Sequence, residues 1–289
     1  MNASVRSGTG VRVATAALLL PLVVAAVWFG GPVVMTALVI ATVIASLWEF
    51  FGIGAQQGLR GYRLWTLLTG AALAFSQVSE AGTQWIPAGG GIFFVGWHGL
   101  RLSHELVFVV FILGLGTLAV AGKKPLSNIL PSLGLSAAGL LLVAWPLSYI
   151  VRIHAMENGR LWLLFTLALI WAGDTLAYFT GRAIGRHAMA PQVSPKKTWE
   201  GAAGNVAGSV MVAAVFSNWL DVGMAHLVAI ALLANVAGQL GDLVESAYKR
   251  GAGVKDSGTL LPGHGGMLDR VDALIFAAPV VWAYLQWMV

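Results

Sequence analysis

Apolar residues recur along this chain in runs of roughly 20, the length a helix needs to cross a bilayer. The runs at 13–30, 32–54, 64–79, 105–121, 130–151, 161–180, 199–219, 225–248 and 271–288 predict about nine transmembrane helices. Alternation at period two is absent, which argues against an outer-membrane barrel. No polar stretch between the runs is long enough for a soluble domain. The expected fold is all-α, a polytopic integral membrane helical bundle. The first run follows Arg6 and Arg12, as a signal peptide would, but it lacks a small-residue cleavage site. A second run begins after a two-glycine break, so the first reads as an uncleaved helix.

Composition agrees with this pattern. Of 289 residues 58% are hydrophobic and only 10% charged, against about 25% charged in a soluble domain. The absence of cysteine excludes disulfides, thiolate catalysis and thiolate zinc sites. A pI near 9.7 would suit a nucleic-acid binder, but in a multi-span protein excess Lys and Arg first reports topology, and no nucleic-acid partner is expected. With the N-terminus in the cytoplasm, fourteen of the 17 Lys and Arg fall in cytoplasmic segments and only Arg101, Arg152 and Arg160 fall outside. The charge-rich loops 181–198 and 249–270 then both face the cytoplasm, in a membrane of the bacterial inner type. The outer stretch 81–104, with its triple glycine Gly89–Gly91, reads as an interfacial or re-entrant turn. It is not a phosphate loop, because no Lys-Ser or Lys-Thr follows.

Carboxylates are few. Glu49, Glu80, Glu105, Glu157 and Asp221 lie near run ends and read as solvated surface. Asp174 is different: it falls inside the apolar run "LFTLALIWAGDTLAYFTGR", where a carboxylate costs a few kcal/mol unless paired, metal-bound or facing water. In the eighth run Asn235, Gln239, Asp242, Ser246 and Lys249 follow spacings of four and three, which places them on one helical face, with Glu245 beside it. Interhelical glue accounts for part of such a stripe; a charged cavity open to the cytoplasm accounts for all of it. In "SPKKTWEG", Ser194 before Pro195 reads as a helix N-cap with proline at the first position. Lys196, Lys197 and Thr198 would then stand at a helix N-terminus suited to an anion. Gly201, Gly204 and Gly208 form a small-residue face for close helix packing.

The stretch "KDSGTLLPGHGGMLDRVD", 255–272, gathers the remaining chemistry. Asp269 and Asp272 share a helical face, and hard oxygen ligands of this type suit Mg²⁺. Lys255 and Arg270 supply cations for phosphate. Gly263, Gly265 and Gly266 let backbone approach a ligand, and His264 reads as a donor to phosphate. No activated serine is in evidence. Carboxylates mixed with Lys and Arg suit phosphoryl or nucleotidyl transfer, where positioning and charge neutralisation do most of the work.

These residues resemble a known family. Over 245–272 the chain reads Ser-x-x-Lys-Arg, four residues, Lys-Asp, then Pro-x-His-Gly-Gly, two residues and Asp-Arg-x-Asp. It is similar to the signature of phosphatidate cytidylyltransferases (CDP-diacylglycerol synthases), matched at Ser246, Lys249, Arg250, Lys255, Asp256, Pro262, His264, Gly265, Gly266, Asp269, Arg270 and Asp272. The upstream segment 173–201 also resembles that family. Leu176, Tyr248 and Thr259 depart from its usual pattern, and none of these departures removes a carboxylate or a cation. The resemblance implies transfer of CMP from CTP to phosphatidic acid, giving CDP-diacylglycerol and pyrophosphate. The metal, Mg²⁺ or another divalent cation, would be held by Asp242 and Asp269 with Asp174 and Asp272 lining the site, and a second, monovalent cation is compatible with it. Asp174, Asp242, Lys249, Asp269 and Arg270 are the expected catalytic set. Ser194, Lys196, Lys197, Thr198, Ser246, Arg250, Lys255, Asp256, His264, Gly265 and Gly266 are expected to hold CTP and the lipid phosphate. Residues 126–289 would form the catalytic region. Residues 1–125 would be a scaffold of helices facing membrane lipids or a second subunit of a homodimer. The competing readings are a cytidylyltransferase for another lipid phosphate and an ion-coupled transporter using Asp174 and Asp242.

Overall fold

Inside a bilayer no water pairs with backbone N–H and C=O groups, so each apolar run must close its own hydrogen bonds, which a helix does. The computed structural model describes residues 17–81, 102–122, 124–261, 263 and 265–288. Within them every predicted run is helical. Helix α1 is Ala17–Phe29, α2 Pro32–Gln56, α3 Arg63–Ala81 and α4 His104–Ala121. The fifth run is one continuous rod built from a 3₁₀ turn, α5 (Ile129–Gly139), a π-helical turn at Leu140–Ala144, and α6 (Trp145–Ala155). Then follow α7 (Gly159–Ile184), α8 (Trp199–Phe216), α9 (Met224–Gly251) and α10 (Leu268–Met288). Six of these segments are long and apolar enough to cross a membrane: α2, α4, Leu126–Ala155, α7, α9 and α10. The protein is an all-α polytopic integral membrane protein. Residues 82–101, with Gly89–Gly91 among them, and His264 in the signature lie outside the described residues.

Two groups of helices form the bundle. Helices α7, α8, α9 and α10 pack together, α2, α3 and α6 form the other group, and α6 touches α10 across the join. Lipid is as apolar as leucine, so burial alone does not bring membrane helices together; close van der Waals packing does. The most intimate contact, α7 on α8, uses the predicted glycine face. A Cβ at Gly204 would stand 2.4 Å from the Thr180 hydroxyl, and one at Gly208 2.8 Å from the Ala172 carbonyl oxygen.

One predicted element is corrected. Residues Ser194–Thr198 are not the first turn of a helix but a strand, β2, paired antiparallel with β1 (Ala188–Ala190). The N-cap of α8 is Thr198, whose hydroxyl accepts from the Gly201 amide at 3.1 Å, with Glu200 in the first turn. The physical reason lies in the charges. A helix begun at Pro195 would set Lys196 and Lys197 against the positive end of its own macrodipole, whereas starting at Trp199 puts a carboxylate there instead.

Candidate active site

The polar stripe of α9 is on one face, as its spacing required, but its two ends do different work. At the deep end Asn235 donates to Asn205 Oδ1 (2.5 Å) and Ser209 Oγ (2.6 Å) on α8, and Gln239 donates to Asn235 Oδ1 at 2.6 Å. Asn205 in turn donates to Asp174 Oδ1 on α7 at 3.2 Å. That half is interhelical glue. It ends on the carboxylate that the sequence singled out as costly in an apolar run. Asp174 lines a cleft of about 240 Å³, including open solvent, with Asn205, Asn235 and Gln239 on its polar wall.

Toward the other end of α9 the stripe carries charge. Asp242 is about one-third exposed and pairs with Lys197 at 2.5 Å; Ser246 donates to its other oxygen at 3.4 Å. Asp242 also lies near enough to Asp174 and Asp272 to repel both, and Arg270 and Lys197 both attract Asp174. Three carboxylates from α7, α9 and α10 therefore lie close enough to repel one another.

Lys249, one helical turn beyond Glu245, is buried between Glu245 and Asp269, with its Nζ 2.6 Å from Asp269 Oδ1. Asp269 is engaged on both oxygens. Besides Lys249 it accepts from the Ser257 amide (3.0 Å) and the Gly266 amide (2.8 Å). A buried ammonium held by two carboxylates is satisfied, whereas removing either partner would strand a charge in low dielectric. The loop that leads into α10 turns tightly, with Gly265 at φ +81° and its carbonyl accepting from the Leu261 amide at 2.9 Å.

The hairpin explains the two lysines. Successive residues of a strand point to opposite faces, so Lys197 reaches inward to Asp242 while Lys196 is exposed. At the base of the hairpin, Glu200 accepts from the Arg186 and His187 amides and sits 2.6 Å from His187 Nδ1. Arg250 donates to the Val193 carbonyl at 3.3 Å and the Val254 carbonyl at 2.9 Å, fixing the hairpin tip to the end of α9. Lys255, Asp256 and Arg270 are exposed. Asp174, Asp242, Ser246, Lys249, Asp269, Arg270, Asp272 and Lys197 thus come together, Ser194 and Thr198 form the strand that presents Lys197, and Gly265 and Gly266 shape the loop.

Glu49 requires a correction. It is not solvated surface. It is 7% exposed and accepts from Ser257 Oγ (2.8 Å), the Met267 amide (3.0 Å) and the Leu268 amide (2.8 Å). Asn205 also escaped notice. For Glu49 a signal existed, because it too is a carboxylate within an apolar run, which is costly unless partnered.

Residues 10–288 match the model of the cytidylyltransferase family. A phosphatidate cytidylyltransferase of Bacillus subtilis (strain 168) is 41% identical over 140 residues, which cover 47% of this chain and 52% of that protein. One from Brucella abortus biovar 1 is 42% identical over 156 residues (52% and 57%), and one from Haemophilus influenzae is 46% identical over 132 residues (44% and 46%). The chain spans about half the length of the curated relatives it matches. The family match takes in all the site helices and nearly the whole chain, and by it this protein belongs to the cytidylyltransferase family.

Proposed function

We propose that the protein is a phosphatidate cytidylyltransferase, which transfers CMP from CTP to phosphatidic acid in phospholipid biosynthesis. A phosphate oxygen of the lipid attacks the α-phosphorus of CTP, the bond to the bridging oxygen of the β-phosphate breaks, and pyrophosphate leaves. The nucleophile is already ionised at neutral pH, so the site needs no strong base. It needs cations to hold four negatively charged phosphates and a surface that admits a lipid from the bilayer. The observation that carries this reading is the meeting of Lys197, Lys249 and Arg270 with the carboxylates Asp174, Asp242, Asp269 and Asp272 at the ends of membrane helices. The names of the relatives described above point the same way.

The donor set fits a hard divalent cation. Among the described residues no three carboxylates or histidines converge closely enough to chelate one ion by themselves. Mg²⁺, however, commonly takes one or two protein carboxylates and completes its shell with water and substrate phosphates. Asp242, with Asp174 and Asp272, would hold it, and Asp269 would join them by exchanging its contact with Lys249. The ion would neutralise charge on the pyrophosphate leaving group. The protein's own groups do the positioning. Lys197 and Arg270 receive the triphosphate and lipid phosphate beside these carboxylates, with Lys196 and Lys255 exposed, and Lys249 holds Asp269 in place. The bias of Lys and Arg toward alternate segments supports a site facing the cytoplasm, and the bacterial relatives support an inner-membrane location.

The test is turnover by detergent-solubilised protein given labelled CTP, phosphatidic acid and Mg²⁺. A labelled lipid product, with pyrophosphate released in equal amount, is expected. No labelled lipid under these conditions would overturn the assignment.

A further inference from the structure

Glu49 belongs to α2, more than 200 positions in sequence from the groups it binds. Its two oxygens take three donors from the two ends of one loop, Ser257 at the start and Met267 and Leu268 where α10 begins. Ser257 is the pivot. Its hydroxyl donates to Glu49 and accepts from the Asp269 amide at 3.3 Å, while its own amide donates to the Asp269 carboxylate. Asp269 then holds Lys249. A continuous set of hydrogen bonds therefore runs from α2 through the loop to the buried ammonium of the site.

The surroundings of Glu49 are built around its carboxylate. A Cβ at Gly258 would stand 2.6 Å from Glu49 Oε1, and one at Gly266 2.2 Å from Oε2. At both positions the space a side chain would fill is taken by the carboxylate. A carboxylate at a helix N-terminus, where α10 has free amides, is also favoured by the macrodipole.

We infer that Glu49 is a positioning residue for nucleotidyl transfer: a carboxylate of the N-terminal helices that clamps the loop at Ser257, just after Lys255 and Asp256, and at the entry to α10, and so sets Asp269 and Lys249. The inference rests on the proposed activity for its catalytic consequence and on the hydrogen bonds alone for the clamp. It makes the N-terminal region a contributor to the site rather than a scaffold only.

The experiment compares Glu49→Ala, Glu49→Gln, Ser257→Ala, Gly258→Ala and the pairs with Glu49→Ala, in the full chain in detergent. Turnover and hydrogen exchange are measured on each. Glu49→Ala is expected to lower kcat by about ten- to a hundredfold, the scale seen when an outer positioning group is removed. It should speed exchange at the amides of 257 and 266–269 while leaving α7 and α8 protected. Glu49→Gln, which keeps one acceptor and can donate to Ser257, should recover part of the loss. Ser257→Ala and Gly258→Ala should each cost activity in the parent but add little in the Glu49→Ala background, because each acts through the same carboxylate. Unchanged turnover and exchange in Glu49→Ala, or strictly additive losses in the pairs, would overturn the inference. So would exchange that rises equally in every helix with no recovery by Gln, which is what loss of global stability gives. If the parent makes no labelled lipid, the proposed activity falls, while the exchange pattern still decides whether the clamp exists.

Discussion

A single carboxylate in this site has its role set by the cations it meets. Asp269 is saturated by a buried ammonium and two amides, whereas Asp242 has one partly exposed lysine and two like-charged neighbours. Of these two, Asp242 has more to gain from a bound cation. Asp242→Asn should lower formation of labelled lipid by about a hundredfold or more, the scale of removing one electrostatic partner of a transition state. The protein should stay folded, and a melting curve together with turnover checks both. Lys197→Ala separates stability from function more sharply. A partly exposed ion pair contributes at most about 1 kcal/mol, so unfolding should barely shift while affinity for CTP falls. A large drop in melting temperature with unchanged KM for CTP would refute that division. The residue scale is also where sequence reading worked best for charges in a motif and worst for charges outside one. Asp174, Asp242 and Lys249 were legible from depth and spacing. Glu49 carried the same depth signal, but its partners, a serine hydroxyl and two backbone amides more than 200 positions away, are encoded by no local pattern.

Among the elements, helices were legible and the hairpin was not. An apolar run in a bilayer has one way to satisfy its backbone, so nine runs became nine helical segments among the described residues. The segment Ser194–Thr198 has five residues, two lysines and a proline, with neither strand nor helix periodicity. A Ser-Pro step before polar residues reads as an N-cap, and only the placement of Thr198 and Glu200 decides otherwise. Two outcomes follow at this scale. Thr198→Ala should destabilise by about 1 kcal/mol, the usual cost of losing an N-cap, read as a lowered unfolding midpoint, and it should also loosen the strand that presents Lys197. Gly208→Val should cost more, about 1–3 kcal/mol for overpacking, because its Cβ meets α7 backbone rather than a movable side chain. Tolerance of valine there, with normal unfolding, would contradict the close contact of α7 and α8.

For the whole molecule, the open prediction is orientation. The chain has no cysteine, so single cysteines introduced at exposed Lys196, Lys255 and Glu157 report topology without background. Membrane-impermeant thiol reagent added to intact cells should label Glu157→Cys, while Lys196→Cys and Lys255→Cys should react only after the membrane is opened. The reverse pattern would place the site on the outer side and remove CTP from its reach.

By itself the sequence determined that this is a helical membrane protein, roughly where its helices lie, and that a charged site forms where 173–201 meets 242–272. Those conclusions follow from runs and spacings, which are local and which a bilayer reads directly through backbone satisfaction and the cost of charge. Tertiary structure alone decided which partner each charge has: Asp269 with Lys249, Lys197 with Asp242, Asn205 with Asp174, and Glu49 with both ends of the signature loop. A buried charge takes its role from whatever stands within hydrogen-bond distance, and in a bundle of packed helices those neighbours come from distant parts of the chain.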